Sequence, residues 1–185
     1  MIFRETPLPG AFVVEIERLA DERGFFARTW CQHEFEEHAL IPRMAQASVS
    51  FNKYKGTLRG LHFQKAPSQE AKLVRVTRGA VFDVIVDLRP DSSAFCQHFS
   101  INLDAEKHNA LYIPPGFAHG FQTTIANTEV YYQMSDFYKP EYASGVRWDD
   151  PAFGIEWPDD DRVILDRDRE YSDFSVDMVT CFRGY

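Results

Sequence analysis

Cysteine is scarce in this chain. Its 185 residues hold three, Cys31, Cys96 and Cys181, an odd number without CxxC spacing. Neither a disulfide framework nor a cysteine zinc site is expected, and the thiols read as buried and free. Long apolar runs are missing too. The longest are on the scale of Val84-Ile85-Val86, far short of the roughly 18 residues that cross a bilayer, so no transmembrane helix and no membrane partner are expected. Met1 to Gly10 has no basic start leading into an apolar stretch, so no secretory signal is visible and a cytoplasmic protein is expected. Positive charge is the third shortage. Lys and Arg number 20 against 28 Asp and Glu, leaving a net charge of −8 and a pI near 5.2. Without a basic stripe to neutralise phosphates, nucleic acid is excluded as a general partner. A small anionic ligand needs only a few local cations, which gives weight to each arginine near a motif.

What is present is 44% hydrophobic and 15% aromatic residues, with ten Pro and ten Gly scattered as turn markers. With no repeat or flexible linker, the composition predicts a single domain over residues 1–185. From about Ala45 to Met134 the chain alternates short β-rich runs with turn signals. The runs are Lys72 to Val76, Val81 to Leu88, Phe99 to Leu103, Leu111 to Ile113, His119 to Thr123 and Glu129 to Met134. This spacing predicts an all-β, antiparallel sandwich or barrel. Cys31 to Ala39, with Phe35, His38 and Ala39 at helical spacing, is the one helix candidate. In Val81 to Leu88, Phe82, Val84, Val86 and Leu88 share one face and Val81, Asp83, Ile85 and Asp87 the other. A strand between core and cavity reads this way, and so does an edge strand with solvated aspartates. The Pro-, Trp- and Asp-rich chain beyond Tyr138 reads as an irregular extension wrapped on the surface.

The chemistry concentrates in two segments, Gly56-Thr-Leu-Arg59-Gly60-Leu61-His62-Phe63-Gln64 and Pro114-Pro-Gly116-Phe-Ala-His119-Gly120-Phe121. If Gly60 to Gln64 is a strand, His62 and Gln64 share a face with Gly60, whose missing side chain leaves room beside a histidine. A satisfied core histidine at 62 and a turn-following histidine at 119 are the competing readings. Strict alternation puts Arg59 opposite His62, so either the strand begins after Arg59 or a bulge intervenes.

Gly56 with His62, and later Pro114-x-Gly116-x-x-His119, resemble the two signature segments of the cupin superfamily, which implies a jelly-roll β-barrel with short helices and a C-terminal extension. Where many cupins carry a second metal-binding histidine this chain has Gln64, a poor transition-metal ligand. His62, Glu70 and His119 remain as a three-ligand alternative. A longer match joins Asp21-Glu-Arg23-Gly24-Phe25-Phe26, the His62 segment, Ala71-Lys72-Leu73-Val74, Asp83 to Arg89, Pro115 to Phe121, Tyr132 with Tyr138, Asp150-Pro151, Trp157-Pro158 and Asp166-Arg167-Asp168. In order and spacing these segments resemble the dTDP-4-dehydrorhamnose 3,5-epimerase family, over Asp21 to Asp168.

The resemblance implies inversion of a carbon beside a ketone in a nucleotide-linked 4-keto-6-deoxy sugar. That chemistry requires a base, enolate stabilisation and an acid on the opposite face, with no cofactor and no metal. By resemblance His62 is the base, and its ordinary pKa near 6.5 suits it. Asp168 would orient it. Tyr132 would be the proton donor, held protonated by a phenol pKa near 10. Lys72 would lie near the sugar's C4 oxygen. Arg23, Arg59, His119 and Arg167 match positions contacting the diphosphate or adjoining parts of the ligand, for which arginine forks are suited. Tyr138 matches a stacking aromatic, and Gln46 and Ser48 the base-binding end. A homodimer is implied, with the region of Arg23 reaching the neighbour's site. Two departures stand out, because Arg28 and Ala143 replace family glutamates near the nucleotide. They leave open a 3-epimerase, another nucleotide, or a binding module without turnover.

Overall fold

Alternating apolar positions and β-branched residues set this chain into strands. The computed structural model describes residues 1–182. In chain order the strands are β1 (Ile2–Glu5), β2 (Phe12–Glu15), β3 (Leu19–Asp21), β4 (Gly24–Phe26), β5 (Gln46–Asn52), β6 (Leu58–Gln64) and β7 (Lys72–Arg78). They continue as β8 (Ala80–Asp87), β9 (His98–Asp104), β10 (Ala110–Ile113), β11 (Phe117–Thr123), β12 (Thr128–Met134) and β13 (Ala143–Gly145). Helices are short: α1 (Gln32–Glu37), α2 (Asp166–Arg169) and a 3-10 turn over Val176–Phe182. All six strand runs expected from the sequence are present, and the helix expected over Cys31 to Ala39 is α1, which buries Phe35.

The strands form a six-stranded sheet in the order β1-β2-β10-β7-β12-β5, a five-stranded sheet in the order β13-β6-β11-β8-β9, and the ribbon β3-β4. The jelly-roll barrel implied by resemblance is therefore corrected to open sheets, since neither large sheet closes on itself or is laddered to the other. What joins them is side-chain packing across a layer. Val74, Val76, Leu111 and Val130 of one sheet share a core cluster with Val81, Ile85, Leu103 and Phe121 of the other.

Two-sided burial of β8 follows from this layering. Val81 and Ile85 face the six-stranded sheet, whereas Val84 and Val86 pack with Val146, Phe153, Trp157, Val179 and Phe182 of the C-terminal extension. The extension is thus the outer layer of the five-stranded sheet. Asp83, between Val81 and Ile85, is fully buried, which removes the reading of β8 as an edge strand with solvated aspartates.

Between β6 and β11 the register slips. His62 pairs with His119 and Arg59 with Phe121, so Gly60 and Leu61 stand opposite the single residue Gly120. This is a β-bulge, and it turns Arg59 onto the face of His62. Gly60 has φ +133°, and a Cβ there would lie 2.5 Å from the Cα of Gly120. Only two glycines facing each other permit that approach. Gly60→Ala should therefore lower unfolding stability by about 3 kcal/mol. A urea midpoint unchanged from wild type at equal m-value would contradict the bulge.

Candidate active site

A cleft lies between the sheets beside the bulge. Two cavities of about 230 and 380 Å³ meet at His62, Lys72 and Arg167. The inner cavity takes Arg59 and His119 from the five-stranded sheet, Lys72 and Tyr132 from the six-stranded sheet, and Asp168 from α2. The outer one is walled by Gln64, Glu70, Tyr138, Ala143 and Tyr171.

His62 and Asp168 are 106 residues apart in sequence and 2.8 Å apart in space, Nε2 to Oδ1. The other carboxylate oxygen, Oδ2, accepts the N–H of Gly60 at 3.2 Å. One buried carboxylate therefore holds both the imidazole and the bulge. Burial works against its charge, but hydrogen bonds from His62, the Gly60 N–H and Arg167 outweigh this and keep Asp168 below the usual carboxylate range. Burial is also the main influence on His62, whose pKa falls below 6.5 although Asp168 opposes the shift. Neutral His62 donates from Nε2 to Asp168, which leaves the lone pair on Nδ1. Its side chain is 30% exposed, so the ring is reachable from the cleft.

A second imidazole–carboxylate pair lies deeper. His119 Nε2 is 2.9 Å from Asp83 Oδ2, both buried, and burial pushes the Asp83 carboxyl up although His119 opposes it. The His119 ring meets the Tyr132 ring edge to face, centroids 6.0 Å apart. Burial, followed by the nearby Asp83, raises the Tyr132 phenol far above its ordinary value, so it keeps its proton at neutral pH. Lys72 Nζ stands 3.3 Å from Glu70. Arg59 donates from Nε to Asn52 at 2.8 Å, and Arg167 reaches Asp168 at 3.2 Å.

Of the residues expected from the sequence, His62, Lys72, Tyr132, Asp168, Arg59, His119, Tyr138 and Arg167 line these cavities. Gln46 and Ser48 do not. They lie on the edge strand β5, opposite Met134 and Tyr132, and Gln46 accepts the N–H of Tyr138 at 3.0 Å, a supporting contact. Arg23 is elsewhere, its side chain 85% exposed in the β3-β4 turn and paired with Asp21. Arg28 also lies outside the cleft, paired with Glu34 beside a separate cavity, whereas Ala143 does line the outer one.

The three-ligand metal set is not gathered. His62 is held by Asp168, His119 by Asp83, and Glu70 by Lys72 and Gln64. Among the described residues no three His, Cys, Asp or Glu side chains are arranged to hold a metal ion. Gln64 is itself fully engaged, donating to Ser68 and Glu70 and accepting from the Lys139 N–H at 2.7 Å. The sequence reading missed Asn52, Glu70 as partner of Lys72, and Tyr171. Gly145, opposite His62 in the β13-β6 ladder, was the available sign that a bulky side chain needs that space.

Residues 5–175 match the family model for dTDP-4-dehydrorhamnose 3,5-epimerase. The chain is 43% identical over 172 residues to the dTDP-4-dehydrorhamnose 3,5-epimerase of Methanothermobacter thermautotrophicus, covering 91% of this chain and 92% of that one. To the Salmonella typhimurium enzyme of that name it is 44% identical over 161 residues, 85% and 86% of the two chains. The crystal structure of the Bacillus anthracis dTDP-4-dehydrorhamnose 3,5-epimerase with TDP and PPi bound superposes with a TM-score of 0.90 at 38% identity, covering 94% of this chain and 99% of that one. The fold and cleft define a carbohydrate epimerase, an isomerase of the cupin superfamily. The chain belongs to the dTDP-4-dehydrorhamnose 3,5-epimerase family.

The His62 environment can be checked without substrate. Because burial lowers its pKa, the imidazole should titrate below pH 6.5, read by NMR of its labelled ring. In Asp168→Asn the midpoint should fall further, since the lost carboxylate is the group that raises it. A wild-type midpoint at or above 6.5, or an upward shift in the variant, would contradict the geometry.

Proposed function

We propose that this protein epimerises dTDP-4-dehydro-6-deoxyglucose at C3 and C5 by proton transfer through an enolate. The observation that carries this reading is that His62 and Tyr132 stand on opposite sheets and line one cavity. A sugar ring between them meets a base on one face and an acid on the other, which inversion requires. His62 Nδ1 takes the proton beside the ketone, and the C–H pair moves into the enolate. The Lys72 ammonium, on the six-stranded sheet, stabilises the developing charge on the C4 oxygen. Tyr132 returns a proton from the opposite face, after which solvent carries the proton gained by His62 back to the phenolate. Asp168 keeps the imidazole in the tautomer with Nδ1 free and stabilises the imidazolium.

Arg59 and Arg167 supply local positive charge, and His119 a ring nitrogen, for the diphosphate end, against a chain of net charge −8. Tyr138, exposed at the outer cavity, offers a ring for stacking. The Gln46 side chain holds the Tyr138 backbone N–H, and Ser48 is the cross-strand neighbour of Tyr132.

The protein acts as a homodimer in this reading. The ribbon carrying Arg23 exposes Leu19, Phe25 and Phe26, and the edge strand β5 exposes Val49 and Phe51. Such apolar surface on an edge strand calls for cover, and Arg23 then reaches the partner's cleft. Sedimentation should give about twice the 21.4 kDa chain mass. A monomer at micromolar concentration would count against it. The acidic surface suits a small-molecule substrate rather than nucleic acid, and no helix among the described residues is long and apolar enough to cross a membrane. A cytoplasmic setting agrees with the free cysteines.

The test is NMR of the protein with dTDP-4-dehydro-6-deoxyglucose in deuterium oxide. Both the C3 and C5 proton signals should be lost with wild type, and His62→Ala should slow that loss by about 10²- to 10⁴-fold. Loss at C3 alone would restrict the activity to a 3-epimerase. No exchange, with binding retained, would leave a nucleotide-sugar binding module.

A further inference from the structure

Tyr171 follows α2 by two residues and belongs to no strand. Its ring nevertheless reaches back into the five-stranded sheet. A Cβ on Gly145 would come within 2.4 Å of that ring, so Tyr171 fills the notch that the glycine leaves. Gly145 is the cross-strand neighbour of His62. From the notch the phenol ring meets the imidazole edge to face, centroids 6.3 Å apart and planes at 67°. The segment is pinned on both sides, by Asp168 on Gly60 and His62, and by the Phe174 N–H donating to Asp150 at 2.6 Å.

We propose that Tyr171 is a positioning residue for His62: seated against Gly145, its ring keeps the imidazole on Asp168 and covers it from water. The role rests on the reading of His62 as the base. Asp168 at 2.8 Å and Arg167 at 3.3 Å both meet the same ring nitrogen, Nε2, which leaves the imidazole free to swing about that end. The aromatic edge closes that freedom from the side. A base displaced by about 1 Å from its reacting proton loses about a hundredfold in rate, so a ring touching no reacting atom still matters.

The charged and titratable groups around His62 are Asp168 and Arg167 from α2, Lys72 from β7 and His119 from β11. Tyr171 differs from them in supplying chiefly cover, and burial is the foremost cause of the low His62 pKa. Opening the notch should therefore move the titration in a known direction.

The experiment compares Tyr171→Ala, Tyr171→Phe and Tyr171→Leu, following the His62 ring titration by NMR together with kcat and KM. Tyr171→Ala should raise the midpoint toward 6.5 and lower kcat by about 10- to 100-fold, with KM within about threefold. Tyr171→Phe should restore both. Tyr171→Leu, a smaller side chain in the same place, should give a smaller upward shift, and it carries the test if Tyr171→Ala does not fold. An unmoved midpoint in a folded variant, or a loss confined to KM, overturns the proposal. Because the titration needs no substrate, absence of turnover in wild type would sink the epimerase reading while leaving the role of Tyr171 decidable.

Discussion

The Asp168 carboxylate is the constraint on which the cleft depends. One oxygen accepts the N–H that the Gly60 bulge leaves without a ladder partner, and the other holds His62. Both groups belong to β6, whereas Asp168 comes from the C-terminal extension. A buried carboxylate costs energy unless its oxygens are paired, and here each is. The layer that covers the five-stranded sheet with Val146, Phe153, Trp157 and Phe182 is thereby tied to the orientation of the imidazole. Loosening the extension would disturb both the core and the site.

The open two-sheet architecture then divides the chemistry. The five-stranded sheet brings His62, Arg59, His119 and Asp83, and the six-stranded sheet brings Lys72, Glu70's partner, and Tyr132. Residues of the two facing sheets line one cavity from opposite sides. Burial disfavours the charged form of both His62 and Tyr132. It lowers the His62 pKa and raises that of Tyr132, so both stay neutral across neutral pH. In the proposed reaction, such a pair facing one cavity is the resting state from which a proton is taken and another given.

Much of this was legible in the sequence. Strands β7 to β12 announce themselves through alternation and turn residues, and α1 through Phe35 and its neighbours. Asp168 was reached only through resemblance to the family's segments, because its contact with His62 is set by tertiary packing over 106 residues. The barrel was not borne out, since strand runs say nothing about whether sheet edges meet. The relation of Arg59 to His62 was left between two options, and the Gly60/Gly120 approach decides it. Arg23 could not be placed from sequence. Its hairpin lines a pocket separate from the cleft of its own chain, and no local pattern encodes that placement. Tyr171 was invisible for a similar reason, because it acts through a notch whose sign, Gly145, is a single residue in an irregular stretch.

The division of base and acid between the sheets is tested most directly by Tyr132→Phe in deuterium oxide with the 4-keto sugar nucleotide. With His62 intact, deuterium should still enter beside the ketone, but from the face it left, and inverted product should fall by about 10²- to 10⁴-fold. Inversion at the wild-type rate in that variant would mean that the proton arrives from another group, and the opposed arrangement of His62 and Tyr132 would not be the mechanism.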